Sequence, residues 1–190
     1  MLIAGMDEVG RGCLAGPVVA AVVILPNGFT DSRIKDSKKL SALKRELLND
    51  VIYENAVDFG IGVVCPLIID KINILNASKQ AMHIALSKLK VNYDRLIIDA
   101  VKLNNIDKPF IHPNKADDTY IQVSAASIIA KVYRDKLMKN LSQKFPEFAW
   151  EKNAGYGTKA HIEAVKEYGY TFLHRKTFLK NIQAKEYDYK

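Results

Sequence analysis

Apolar residues fall along this chain in short runs punctuated by glycine and proline. Residues 2–6 form one such run and residues 17–25 another, parted by Gly10, Gly12 and Gly16. The second, with Val18, Val19, Val22, Val23 and Ile24, is rich in the β-branched side chains that suit extended backbone, and Pro26-Asn27-Gly28 ends it. Ser41 has the chemistry of an N-cap for a helix carrying Leu43, Leu47, Leu48, Val51 and Ile52. Residues 56–64 then predict a strand closed by Pro66, residues 76–89 a helix, and residues 95–99 a short buried strand. A last strand is expected at 109–112. Asp117 or Asp118 then precedes a long helical stretch to about Lys144, which Phe145-Pro146 breaks. Thr158 caps a further helix through Tyr168, with Gly169 at its C′ position. Strands mixed with helices in this order predict an α/β fold whose C-terminal part, from about residue 146, is helical.

The chain has 190 residues, 48% of them hydrophobic and 26% charged, which is ordinary for one globular domain and excludes wholesale disorder. Its 28 Lys and Arg against 21 Asp and Glu leave a net charge of +7, favouring an anionic partner. Cys13 and Cys65 are too few for a disulfide framework or a cysteine-built zinc site, and both are expected as buried, reduced thiols. An acid arrives at Asp7, too early for a signal peptide, and no apolar run approaches the roughly 18 residues of a membrane span. A soluble, cytoplasmic protein is therefore expected.

Three features carry candidate chemistry. Asp7 and Glu8 directly follow an apolar strand and lead into Gly10-Arg11-Gly12, where bare backbone can approach a ligand. Neighbours on a strand point to opposite faces, so either the strand ends by Glu8 or the two acids reach a site from different sides. Asp99 closes the apolar run Leu96-Ile97-Ile98; were this strand a parallel neighbour of the first, Asp7 and Asp99 would share one carboxyl edge of the sheet. Ser124, Ser127, Lys131, Arg134 and Asp135 fall within about one third of a helix circumference. Asp7, Glu8, Asp99 and Asp135 clustered together would repel unless a cation neutralised them, and oxygen-only ligands suit Mg²⁺ or Mn²⁺. A basic protein holding an acidic pocket fits a polyanionic substrate bridged by divalent metal, the two-metal nuclease arrangement. Tyr156, framed by Gly155 and Gly157, can lie flat against a sugar or base, or pack its loop onto the core.

These residues resemble the ribonuclease HII family. Met6-Asp7-Glu8-Val9-Gly10-Arg11-Gly12 with Leu14-Ala15-Gly16-Pro17-Val18-Val19-Ala20 is similar to the family's opening signature. Asp36-Ser37-Lys38-Lys39-Leu40, Leu96-Ile97-Ile98-Asp99, the stretch from Ser124 to Asp135, Gly155-Tyr156-Gly157-Thr158 and His174-Arg175-Lys176-Thr177-Phe178 follow in the family's order. The resemblance implies an RNase H-like mixed sheet flanked by helices, with residues 1–145 as catalytic body. Residues 146–190 would be a small helical, substrate-binding extension of the same domain. It implies endonucleolytic hydrolysis 5′ of ribonucleotides in RNA–DNA duplexes, including single ribonucleotides embedded in DNA, giving 3′-hydroxyl and 5′-phosphate ends. Asp7, Glu8, Asp99 and Asp135 would be the catalytic acids holding two Mn²⁺ or Mg²⁺ ions. Gly10, Arg11 and Gly12 would read the 2′-hydroxyl, Tyr156 would stack on the following deoxyribose, and Ser37, Lys38, Lys39, Lys131, Arg175 and Lys176 would hold phosphates. The protein is expected to act as a monomer, with no membrane partner.

Two positions depart from the family pattern. Ala154 stands where a lysine usually precedes the Gly-Tyr-Gly-Thr loop, removing one phosphate contact. Ala116 stands in place of the glycine of Lys-Gly-Asp, and would be strained if that glycine needs a positive φ. The sister family, ribonuclease HIII, lacks the arginine matched here by Arg11. A catalytically inactive hybrid-binding module on the same fold is the alternative function. Docking on an acidic membrane has no amphipathic lysine-rich helix to support it.

Overall fold

The computed structural model describes residues 1–34 and 40–189. A five-stranded sheet has the order β3-β2-β1-β4-β5, built from β1 (Ile3–Val9), β2 (Val18–Ile24), β3 (Asp58–Val64), β4 (Arg95–Ile98) and β5 (Phe110–Ile111). Strands β1, β2 and β3 pair antiparallel, whereas β4 lies parallel to both β1 and β5, making the sheet mixed. Helix α1 is Ala42–Asn55, α2 Pro66–Ile72, α3 Ile74–Leu86, α4 Ala116–Thr119, α5 Ile121–Ser142, α6 Trp150–Asn153 and α7 Lys159–Tyr168.

Strand β2 is buried at every position, so its alternation feeds two cores. Val18, Ala20, Val22 and Ile24 face Ala77, Ala81, Met82 and Ala85 of α3. Val19, Ala21 and Val23 face Ala125, Ile128 and Ile129 of α5. A third core unites Phe145, Phe148, Trp150 and Val165 of the C-terminal part with Met138 of α5 and Ala15 of the β1–β2 loop. The C-terminal part is thereby tied to the loop that leaves β1. No helix among the described residues is long and apolar enough to cross a membrane.

Ser41 and Thr158 cap α1 and α7 as their chemistry predicts, accepting from the backbone N–H groups of Lys44 and His161. Several expectations shift. Pro66 does not merely stop β3: it opens α2 at the position where a missing N–H costs nothing. The long helix starts only at Ile121, and Asp117 and Asp118 lie inside α4 rather than capping it. Leu43 and Leu47 are 68% and 60% exposed, leaving Leu48 and Ile52 as the residues α1 buries in the core. Cys13 is buried, but Cys65, at the N-cap of α2, is exposed.

Candidate active site

The parallel pairing of β1 with β4 ends at Met6 opposite Ile98, so Asp7 and Asp99 follow side by side at the carboxyl end of that pairing. The Asp99 backbone N–H donates to the Met6 carbonyl at 3.1 Å and fixes that register. Strand β1 continues through Val9, so the two acids diverge: Asp7 points toward α5 and accepts from the Ser127 hydroxyl, and Glu8 pairs with Arg11 at 3.1 Å. Asp7, Glu8 and Asp99 nonetheless line one cavity of about 190 Å³, together with Val9, Ser127, Lys131 and Tyr156. Asp99 is oriented by the Ala116 backbone N–H, which donates to its Oδ1 at 2.8 Å.

This edge is hostile to negative charge. Burial, then the neighbouring charges of Glu8 and Asp99, push the Asp7 carboxyl up to about 8, against the opposing hydrogen bonds of Ser127 and the Glu8 N–H. Burial also raises Glu8, with the Arg11 guanidinium pulling the other way. Asp135 stands eight residues beyond Ser127 on α5 and lines an adjoining cavity of about 420 Å³ instead. There Lys131 Nζ donates to its Oδ1 at 2.8 Å and Arg45 lies 3.9 Å away. Lys131 and Tyr156 line both cavities and join them. Among the described residues no group of three or more His, Cys, Asp or Glu side chains is arranged to hold a metal ion as it stands. The donor chemistry, oxygen-only and short of positive charge around Asp7, fits a hard divalent cation.

Gly10 and Gly155 shape the loops above the acids. At Gly10, with φ +91°, a Cβ would lie 2.3 Å from Arg134 Nε; at Gly155, with φ +81°, it would lie 2.4 Å from the Ala15 carbonyl oxygen. Arg175, expected on a phosphate, is instead wholly buried. Its guanidinium donates to the carbonyls of Gly10 (2.6 Å), Arg11 (2.8 Å) and Gly16 (2.9 and 3.0 Å), holding the Gly10–Gly12 turn from beneath. Burial lowers it to about 10, so it keeps its charge at neutral pH. Gly12 and Arg11 remain exposed at the surface of that turn.

Tyr156 is 38% exposed, so it neither packs wholly into the core nor stands free. Its hydroxyl donates to the Cys13 sulfur, and Lys131 and Arg134 sit 5.7 and 5.9 Å from its ring centre. Lys176 is on the surface, 3.7 Å from Glu186. Ser37, Lys38 and Lys39 lie outside the described residues.

A family model described as Ribonuclease HII matches residues 4–181. The chain belongs to the ribonuclease HII family. A ribonuclease HII of Ruminiclostridium cellulolyticum is 49% identical over 179 residues, 94% of this chain and 70% of the relative. One of Bacillus cytotoxicus is 52% identical over 176 residues, 93% of this chain and 68% of the relative. Among solved structures, the ribonuclease H2 of Pyrococcus horikoshii OT3 superposes with a TM-score of 0.82 at 29% identity, covering 96% of this chain and 97% of that one. The RNase HII in a PCNA complex from Archaeoglobus fulgidus gives 0.77 at 28% identity, covering 96% and 97%. The chain is thus a ribonuclease H-type hydrolase on an RNase H-like fold.

Against the ribonuclease HII pattern, the two alanines exchange significance. Ala116 carries no positive φ; the left-handed residue is its neighbour Lys115, at φ 57°, and Ala116 is buried in α4 as the donor to Asp99. Ala154 is the strained one, at φ 48° and ψ 29°. Its carbonyl accepts from Arg134, a fully buried residue whose other donors go to the carbonyls of Ala15 and Pro17. Arg134 was visible in the sequence only as part of the polar stripe on α5. Its task as anchor of both loops has no local signature, because its acceptors are backbone atoms distant along the chain. Asp70 is similar: its carboxylate accepts from the backbone N–H groups of Lys176 and Thr177 at 2.8 and 3.0 Å, tying the segment after Arg175 to α2.

Proposed function

We propose that this ribonuclease HII chain hydrolyses the phosphodiester 5′ of ribonucleotides in RNA–DNA duplexes, single embedded ribonucleotides included, leaving 3′-hydroxyl and 5′-phosphate ends. The observation that carries this reading is one cavity lined by three carboxylates at a parallel sheet edge, with a half-exposed tyrosine on its rim. Asp7, Glu8, Asp99 and Asp135 hold divalent ions, Mg²⁺ or Mn²⁺. When bound, such ions activate water and stabilise the leaving oxygen.

The chain's own residues supply position and selectivity. The Gly10–Gly12 turn, held by Arg175, brings backbone close to the minor groove, where the 2′-hydroxyl distinguishes ribose from deoxyribose. Tyr156 offers its ring to the adjoining deoxyribose, which lacks that hydroxyl. Lys131, between the two cavities, exchanges its bond with Asp135 for a substrate phosphate. Residues 146–190 form the substrate-binding extension of a catalytic body at 1–145, bringing the Tyr156 loop to the edge where the acids lie.

Three labelled duplexes test the reading: one ribonucleotide in DNA, a full RNA–DNA hybrid, and plain DNA, each with Mg²⁺, Mn²⁺ or chelator. Metal-dependent cutting on the 5′ side of the lone ribonucleotide, with plain DNA intact, is the expected result. Binding without cutting under either metal moves the function to a hybrid-recognition module. Asp135→Asn should keep duplex binding and lose turnover; near-normal turnover would remove Asp135 from the site.

A further inference from the structure

Beneath Tyr156 lies a buried chain of polar rings that the reaction does not use. Trp150, His161 and His174 are each at most 1% exposed. Trp150 Nε1 donates to His161 Nε2 at 3.0 Å, and the same nitrogen lies 3.2 Å from His174 Nε2. His174 Nδ1 accepts from the Thr171 backbone N–H at 3.0 Å. His161 Nδ1 lies 2.9 Å from the carbonyl oxygen of Tyr156.

The donors leave one assignment of protons. Indole and backbone N–H groups can only donate, so His161 Nε2 and His174 Nδ1 must both be unprotonated. The proton of His161 therefore sits on Nδ1, where it donates to the Tyr156 carbonyl. The proton of His174 sits on Nε2, where it donates to His161 and shares the lone pair that Trp150 also uses. Protonating His161 on Nε2 would set it against two donors in a dry site, so both rings are held neutral. Burial, the main cause of the downward shift of both histidines, acts in the same sense.

We infer that His161, its tautomer fixed by Trp150 and His174, is a positioning residue that sets where Tyr156 meets the substrate. The Tyr156 backbone is otherwise held by its N–H donating to the Asn153 carbonyl at 2.9 Å and by its carbonyl accepting from Thr158 at 2.8 Å. Those contacts lie within the loop itself. Asn153 Nδ2 reaches the Phe148 carbonyl at 2.7 Å, but His161 is the side chain that joins the Tyr156 carbonyl itself to the aromatic core of Phe148, Trp150 and His174, where Phe148 stacks on Trp150 with ring centres 5.2 Å apart. A displacement of about 1 Å at a recognition group costs on the order of a hundredfold in rate, so such a strut controls selectivity without touching substrate. This inference rests on the reading of Tyr156 as the group that recognises the ribonucleotide junction.

The test has a spectroscopic and a kinetic arm, both on the full chain. Nitrogen-15 correlation spectra of the histidine rings at neutral pH should show His161 protonated at Nδ1 and His174 at Nε2. A proton on Nε2 of His161 overturns the inference whatever the variants do. In the kinetic arm, His161→Asn keeps a donor near the Nδ1 position and His161→Gln keeps only a group near Nε2. The ratio of kcat/KM for a single embedded ribonucleotide to that for a full hybrid should fall about tenfold in His161→Gln and stay within about threefold in His161→Asn. Equal ratios in the two variants overturn the inference. Combined with Tyr156→Ala, His161→Gln should cause no further fall in that ratio; a fully additive fall places its effect elsewhere. Tyr156→Ala alone separates the two claims. If it leaves the ratio unchanged, the reading of Tyr156 fails; if it lowers the ratio and His161→Gln does not, only the inference about His161 fails.

Discussion

Two groups of buried charged residues flank the turn at Gly10–Gly12, and they are treated oppositely. Below it, Arg134 and Arg175 are wholly buried, yet between them they donate seven hydrogen bonds to backbone carbonyls of Gly10, Arg11, Ala15, Gly16, Pro17 and Ala154. Beside it, Asp7 is nearly as buried but has the Ser127 hydroxyl, the Glu8 N–H and two like charges for company. A buried charge whose hydrogen-bonding capacity is filled is a strut. One left short of partners keeps its proton until a cation takes the proton's place. The arginines are filled struts; the acids are left with capacity for a cation.

Removing the Asp7 carboxyl makes the largest difference. Asp7→Asn should lower turnover by at least about a thousandfold, since one ligand oxygen loses its charge. The same change should stabilise the metal-free fold. The folded carboxyl holds its proton up to about pH 8 and the unfolded one releases it near its ordinary value of 3.8. Between those limits the folded state binds more protons, so the wild type loses stability as pH rises. The unfolding free energy of Asp7→Asn relative to wild type should therefore grow from pH 4 to pH 8, reaching on the order of a few kcal/mol. Divalent ion should raise the melting temperature of the wild type more than that of the variant. A pH-independent difference would mean that Asp7 is not held protonated by its surroundings.

The arginines should give the opposite result. Arg175→Leu leaves carbonyls at Gly10, Arg11 and Gly16 without their donor in a dry site, and should cost about 3 kcal/mol in denaturant unfolding. A residue contacting phosphate behaves differently: its loss spares stability, weakens duplex binding and reduces the salt dependence of affinity by about one counterion. Unchanged stability with a shallower salt slope would return Arg175 to the substrate surface.

This contrast also marks what could be read from residue order. The apolar runs before Asp99 and Asp7 each announced a strand leading to an acid, and parallel pairing set the two acids side by side, although β1 runs two residues past Asp7 against β2. Ser41 and Thr158 announced helix starts because capping is a local matter. Arg175 misled for the converse reason: a lone arginine in a basic segment looks the same whether its partners are phosphates or the carbonyls of a turn more than 150 residues away. The leucines of α1 misled because helical spacing tells which residues share a face, not whether anything covers it. Asp135 fell on the polar side of α5 as its spacing implied, four residues beyond Lys131, the helical spacing at which the two do pair; the approach of Arg45 from α1 had no such local sign.

The smallest effects concern the two alanines, and their signs should differ. Ala154 sits at φ 48°, where an L side chain costs about 1 kcal/mol and glycine nothing. Glycine also frees the unfolded chain, which takes back part of that gain. Ala154→Gly should therefore stabilise by about 0.5 kcal/mol, raising the melting temperature by a degree or two, while its carbonyl goes on accepting from Arg134. Ala116→Gly restores the family's usual residue but should destabilise by about 1 kcal/mol, because Ala116 is a buried helical residue with an ordinary φ. It should also loosen the N–H that orients Asp99, so any loss of turnover is expected at Ala116 and not at Ala154. Matched denaturant titrations of the two variants decide it. Two shifts of the same sign would show that the left-handed conformation at Ala154 carries no net strain, or that α4 tolerates glycine without cost.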